Sequence, residues 1–496
     1  MKITSRKITA PPQPANEAAW QGCQKALELK DEGDYRGAQA ALHRFWKRIG
    51  ERPDTTGLQP DMAAEVLLCV GILSCWIGGT DQNKEAQETA KNLITESITY
   101  FESVGDIKKV ATARTELAFC YWYEGGLNEA RTMFAEALEK LTVLGNTRAR
   151  ALFGSALVEW SASRHKDALT ILKDNAQLFA RINNRAHKAA YHNLIAMILR
   201  ELAKTENKKD YLRQAINEYE QADRYLKLVH NLSFRANVKN NVGNVLRQLR
   251  RFKEAHLYLD EARRLAVSAR DRVLVAQFDD SRALALIAQK RYEEAESFAR
   301  GAVSTLAKTD RKCLLADVLI THGIILARLK RTEQAQFALQ RAVEVACEVD
   351  ALNKAGMAAP TLIEEVADLS RQDLQAAFIK ARRWLADSQS KDVLVRVNKA
   401  AEKVVLASGG ELSDEAATEI LLTTQIELQE EVLKYERLLI RRALAKVNGS
   451  VTYAASLLGL SHQGLGYVIE TRHKELLTER SPIRRRVKRR QRPADK

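Results

Sequence analysis

Residues 243–262, GNVLRQLRRFKEAHLYLDEA, carry a small residue (Gly243), a ring nine positions on (Phe252), then Ala255, Leu259 and Ala262 at helical spacing. Forty residues later the pattern returns as Ala283, Tyr292, Ala295, Ala299 and Ala302, and forty after that as Gly323, Thr332, Ala335, Leu339 and Ala342. Looser copies centre on Ala38, Ala130, Ala168 and Ala215, with a weaker one at Ala90. Small residues where two antiparallel helices cross let the backbones approach, and the residue in the turn closes the end of the pair. Each pair leaves one face apolar, so it must stack on its neighbours. The 496 residues hold only 8 Pro and 23 Gly, and Leu, Ala, Glu, Lys and Arg dominate, which points to helix nearly throughout.

This pattern resembles tetratricopeptide repeats, stretched here from the usual 34 or so residues to about 40 by longer helices. The resemblance covers residues 16–385 and implies an all-α, right-handed helical solenoid that binds peptides or proteins and does not catalyse. Around Gly243, the residues Asn237, Asn240, Asn244 and Arg247 recur at helical spacing on the face expected to line the groove, and Asn193 and Arg200 hold matching places one repeat earlier. Asn can both donate to and accept from an extended peptide backbone, so these six are the candidate partner groove. Asn240 and Asn244 are expected to be exposed. Phe119, Trp122, Phe153 and Trp160 occupy equivalent faces upstream and are candidates for an apolar pocket, with core packing as the alternative.

After residue 425 the pattern changes. Gln425 to Lys446 is an amphipathic helix that stops at Asn448-Gly449, and Ser450 is placed to cap a short helix through Leu458. Gly459 makes a turn, Ser461 caps the next helix, and Leu460 with Leu465 is spaced for a hydrophobic staple. Ala455, Gly459, Leu465 and Val468 have the spacing of a helix-turn-helix. The string from Tyr435 to Leu444, through Asn448 to Ser461, resembles the Fis-type helix-turn-helix family, over about 45 residues. That resemblance implies double-stranded DNA as a partner and a homodimer paired through the long helix, at Leu433, Ile440 and Leu444.

In the second helix of the motif, Leu465, Val468, Ile469 and Leu476 face inward on a helical wheel, which turns Gln463, Tyr467, Glu470 and Lys474 outward. Ser461 and His462 stand at the helix N-terminus. Ser461, His462, Gln463, Tyr467 and Lys474 are therefore candidate DNA contacts, joined by Arg484, Arg485 and Arg486 of the tail as phosphate contacts. Gly464, Gly466 and Val468 depart from the family, which usually has basic or hydroxyl side chains there. The net charge is +15, and Thr471 to Lys496 alone holds 11 Lys or Arg against 3 Asp or Glu. A charge excess gathered at one end points to a polyanion.

Several classes of chemistry are missing. There is no G-x-x-x-x-G-K loop, no H-E-x-x-H pair and no nucleophile elbow, so neither an enzyme nor a cofactor or metal is expected. The six cysteines are scattered without a C-x-x-C pair and read as small core residues of a reducing compartment. Met1 to Asn16 lacks a signal-peptide core, and the apolar run Val66 to Gly79 is short for a membrane span, so a cytoplasmic bacterial protein, nucleoid-associated when bound to DNA, is expected. The expected organisation is a disordered N-terminus (1–15), the solenoid (16–385), a helical linker (386–424), the Fis-type domain (425–477) and a basic disordered tail (478–496). The function expected is a DNA-binding transcription regulator whose solenoid takes a peptide or protein. The alternative is an interaction scaffold whose helix-turn-helix only dimerises.

Overall fold

The structure is a computed structural model, and it describes residues 14–81, 83–366, 369–385, 391–407 and 428–480. Every regular element among them is a helix. The chain first lays down α1 (Pro14–Asp31) with α2 (Tyr35–Ala41), α3 (Pro60–Asp81) with α4 (Lys84–Ser103), and α5 (Ile107–Tyr123) with α6 (Leu127–Lys140). It continues with α7 (Asn146–Ser161) against α8 (His165–Asp174), then a short α9 (Ala176–Arg181). The next pairs are α10 (Arg185–Thr205) with α11 (Lys209–Val229), α12 (Leu232–Gln248) with α13 (Phe252–Ser268), and α14 (Arg272–Ala288) with α15 (Tyr292–Leu306). The last are α16 (Lys312–Arg328) with α17 (Thr332–Glu348), and α18 (Leu352–Glu365) with α19 (Arg371–Trp384), followed by α20 (Lys391–Ala407).

The repeat reading of the sequence is realised alanine by alanine. Ala38, Ala90, Ala130, Ala168, Ala215, Ala255, Ala295 and Ala335 all have 0% exposure, each in the second helix of its pair. The small residues of the first helices act as supposed: a Cβ on Gly243 would lie 2.8 Å from Leu259, and one on Gly323 2.5 Å from Leu339. The turn between helices repeats as well. Arg250, Lys290 and Lys330 sit at left-handed φ of 59°, 62° and 60°. The next amide in each case reaches back to close the first helix (Arg251 N to Leu246 O, 2.9 Å).

The helix α3 runs longer than the apolar run suggested, and Pro60–Gly79 is the one described helix long and apolar enough to cross a membrane. Leu67, Leu68, Val70, Leu73 and Ile77 are nevertheless buried against the helices beside it, as a solenoid core helix requires. Of the cysteines, four are buried, Cys313 is half-buried and Cys347 is exposed, so the expectation that all six lie in the core fails at those two. Of the stretch 386–424, α20 packs on α18: Ala400 is fully buried, and Arg396 pairs with Glu364 at 2.7 Å.

Contacts divide the chain into two compact units, 1–404 and 405–496. In the second, α21 (Leu428–Lys446), α22 (Val451–Leu457) and α23 (His462–Thr471) enclose a core of Ile440, Ala443, Leu444, Ala454, Ala455, Leu465, Ile469 and Leu476. Asn448 and Gly449, at φ 51° and 79°, turn α21 back on itself, and Gly459, at φ 68°, turns α22 into α23.

Candidate functional site

The first helices α12, α14, α16 and α18 lie side by side, and polar side chains tie each to the next. Asn244 on α12 donates to Ser281 Oγ on α14 at 3.2 Å. Asp280 on α14 lies near Thr321 on α16, whose hydroxyl donates to Asp317 O at 3.3 Å, and Asp317 pairs with Lys354 on α18. Arg396 on α20 extends the series, donating to Thr361 on α18 at 2.7 Å. The result is a polar strip across four successive repeats.

Asn237, Asn240, Asn244 and Arg247 all stand on α12 at this strip, but they do not form a solvated face. Asn240 is 6% exposed, and its Oδ1 has no hydrogen-bond partner. Its exposure was expected and is corrected here, because neighbouring helices cover the α12 face. Asn237 is spent on its own helix, donating to Ser233 O at 3.1 Å. Arg247 is half-buried with Nε unpartnered. Burial and the like charge of Arg200 pull the Arg247 pKa below its usual value, and Asp280 acts against them.

Asn193 and Arg200 lie on α10, which touches α12 little. Asn193 donates to Met197 Sδ at 3.3 Å and leaves Oδ1 unpartnered, while Arg200 pairs with the adjacent Glu201 at 3.3 Å. The aromatics are mostly core. Phe119 is fully buried edge-on to Phe134 at 5.1 Å, and Trp122 is fixed by a 2.8 Å bond to Ser161 Oγ.

The strip contains a group that the sequence reading passed over. Burial and the nearby charge of Asp317 raise the Asp280 pKa to about 7, although Thr321, Arg247 and Lys354 oppose the shift. Asp280 Oδ1 is unpartnered, and no described cation lies within ion-pair reach of the carboxylate. The signal was present in the repeat itself. Advancing Asn240 by 40 positions lands on Asp280, and advancing Asn237 by 80, two repeats, lands on Asp317.

The first repeat closes on the fifth and sixth helix pairs. Asn184 and Asn231 cap α10 and α12, accepting from His187 N and Phe234 N at 2.9 Å each. Their amide groups are thereby turned toward the α1–α2 turn: Asn184 Nδ2 donates to Asp31 Oδ2 at 2.8 Å and Asn231 Nδ2 to Asp31 O at 3.2 Å. Gly33, at φ 80°, lies against Asn231, where a Cβ would come within 2.8 Å of Oδ1. Burial opposes ionisation of Asp31, but the Lys30 charge and the Asn184 hydrogen bond outweigh it and hold the carboxyl below its ordinary range. Burial, with Arg150 and Lys30 nearby, pushes His187 down to about 3, so the ring beside this clasp is neutral.

In the second unit, Ser461 caps α23 through its hydroxyl, which accepts from Gly464 N at 3.0 Å, and Ser461, His462, Gln463 and Tyr467 are all exposed. Ser450 makes no side-chain cap bond, and Leu460 stays 45% exposed, so neither the second cap nor a tight staple forms. Lys474 is exposed but lies beyond α23, in a 3-10 turn. The chain leaves the helix because His473 is drawn inward to Glu436, at 2.9 Å. Ile440 and Leu444, given a pairing role by resemblance, are buried in the unit's own core, which leaves Leu433 of the three on the surface. Arg484, Arg485 and Arg486 lie outside the described residues. Among the described residues, no three His, Cys, Asp or Glu side chains are placed to share a metal ion.

No protein-family model matches the chain, and no curated protein sequence does. Solved structures do. A Signal Transduction ATPase with Numerous Domains protein with a tetratricopeptide repeat sensor, from Pyrococcus horikoshii, matches with a TM-score of 0.50 at 15% identity, over 75% of this chain and 55% of that one. The chain thus spans little more than half of that protein's length. The apo quorum sensor NprR from B. thuringiensis is also similar (TM-score 0.47, 13% identity, 67% of this chain and 88% of that one). So is a Rap protein complexed with competence and sporulation factor (TM-score 0.45, 13% identity, 73% and 98%). The fold is an all-α solenoid of the tetratricopeptide type.

Proposed function

We propose that the chain is a DNA-binding regulator whose solenoid takes a peptide or protein segment along the α12–α18 strip and whose C-terminal unit docks on double-stranded DNA as a dimer. It acts without catalysis, in the bacterial cytoplasm and on the nucleoid when DNA-bound. The observation that carries the solenoid half is the strip's unmet polar capacity. Buried polar groups are nearly always paired, and Asn240 Oδ1, Arg247 Nε and Asp280 Oδ1, gathered on two adjacent helices without partners, leave hydrogen-bond capacity for a ligand. The DNA half is supported by the three-helix arrangement with Gln463 and Tyr467 exposed on α23, and by the basic end of the chain.

One observation favours the scaffold alternative. Helix α23, HQGLGYVIET, contains no Lys or Arg. The arginines around it are matched by carboxylates: Arg472 with Glu436 and Arg437 with Glu475 at 3.4 Å each, and Arg480 with Glu470 at 3.1 Å. Selection of random duplexes on the full chain separates the readings. Base reading predicts enrichment of one sequence, and Gln463→Ala or Tyr467→Ala should weaken that preference by roughly 1–3 kcal/mol. Sequence-blind retention that vanishes when the chain ends at Arg480 would assign all DNA contact to the tail and give the chain the scaffold role.

A further inference from the structure

We infer that Asp280 is the specificity-determining residue of the strip and that it accepts a cationic group of the bound peptide, an ammonium or a guanidinium. The inference rests on the groove reading above and adds the chemistry of the ligand.

Ion pairs tie up the strip's charges except at Asp280 and Arg247. Lys354 answers Asp317, Arg396 answers Glu364, and Glu201 answers Arg200. Asp280 and Arg247 form no ion pair with each other. Asp317 from α16 weighs on Asp280 more than either Arg247 from α12 or Lys354 from α18 does singly. A carboxylate in such a place binds a proton unless a cation replaces it. Burial therefore raises its pKa, and an arriving cation would reverse that shift.

Hydrogen-bond capacity points the same way. Of the unpartnered atoms on α10, α12 and α14, Asn193 Oδ1, Asn240 Oδ1 and Asp280 Oδ1 are acceptors and Arg247 Nε is a donor; the fifth, His187 Nδ1, stands apart beside the α1–α2 turn. A ligand that satisfies the acceptors must be rich in N–H groups. Asn240 is more than nine-tenths buried, so it meets such a ligand only after a side-chain rotation. Adjacent helices at about 10 Å put Asn240 on α12 and Asp317 on α16 about 20 Å apart, the span of roughly six extended residues.

The test uses the immobilised full chain and three pools of synthetic random heptapeptides: free N-terminus, acetylated N-terminus, and free N-terminus without Lys or Arg. Wild type should enrich peptides with a cationic group at one fixed position, and Asp280→Asn should reduce that enrichment roughly tenfold while melting no lower than wild type. Loss on acetylation identifies the terminal ammonium, and loss only from the Lys/Arg-free pool identifies a side chain. Equal enrichment by Asp280→Asn, or peptides with no cationic preference, overturns the inference. If those same peptides are released by Asn240→Ala with Asn244→Ala, the groove reading survives that failure. Absence of enrichment from every pool overturns both.

Discussion

Replacing Asp280 by Asn should make the protein more stable at neutral and alkaline pH, which is the opposite of what most buried polar substitutions do. The carboxyl's pKa rises from 3.8 to about 7, because burial and Asp317 disfavour the charged form more than Thr321, Arg247 and Lys354 favour it. A group with a raised folded-state pKa supports the fold below its unfolded value and withdraws that support as pH rises through the folded value. Near pH 4 Asp280 is therefore neutral in place and Asn gains nothing. By pH 8 the shift of about 3 units would amount to about 4 kcal/mol, and the partial exposure of the side chain trims this to roughly 2–4 kcal/mol. Asn matches Asp in shape, so the removed charge is the main difference. A solenoid unfolds in parts, so the reading belongs on α14 itself, as amide hydrogen-exchange protection at several pH values beside urea midpoints. The variant's advantage should grow steadily from pH 5 to pH 8. A variant no more stable than wild type at pH 8, or a difference that ignores pH, would refute the argument.

Four further outcomes follow from other parts of the molecule. Acidification from pH 7.5 to 5 should weaken the wild-type fold by about 2 kcal/mol at His187, whose depressed pKa makes it resist protonation below its unfolded value near 6.5, and His187→Gln should remove that part of the pH slope. Asn184→Ala with Asn231→Ala should lose about 1–3 kcal/mol in all and increase the radius of gyration measured by X-ray scattering, because their amides join the first repeat to the fifth and sixth helix pairs. Lys290→Gly should raise stability by roughly 0.5–1 kcal/mol in thermal melts, since φ of 62° suits glycine and the exposed side chain contributes no packing. Gly466→Ala should stabilise the C-terminal unit by up to about 1 kcal/mol, the space around a Cβ there being open, and reduced duplex binding in this firmer variant would mean that the DNA backbone needs the room.

The solenoid was legible in the sequence because its determinants are local and repeated. The alanine at each crossing has to be small whatever the groove binds, so the 40-residue period survives in the core positions, and the structure buries all eight predicted alanines completely. The C-terminal unit was legible for a similar reason. Gly449 and Gly459 mark turns at positive φ, and Leu465 and Ile469 are spaced to fill one core. The errors there came from reading helices as if they ended where their patterns did. Lys474 continues the wheel of α23 in sequence, but the buried His473–Glu436 contact pulls the chain off the helix before it.

The groove resisted the same approach because its properties arise between repeats. Nothing within α14 distinguishes Asp280 from Asp279, its neighbour, yet the two meet different surroundings. Asp279 faces Arg263 of α13 at 2.8 Å, whereas Asp280 faces the strip, where Thr321 comes from α16 and Arg247 from α12. A one-residue step turns a helical side chain by about 100°, enough to exchange a paired surface for an unpaired one. The asparagines were visible because amides on one helix face are unusual; the aspartates were not, because acidic residues on helices are common and mostly solvated. The period supplies the missing link, since the positions of Asn237 and Asn240 recur as Asp317 and Asp280. A groove position is thus defined by its place in the repeat before its residue type. On the proposed groove reading, changes of type between repeats, amide to carboxylate, would be where one end of a bound chain is told from the other.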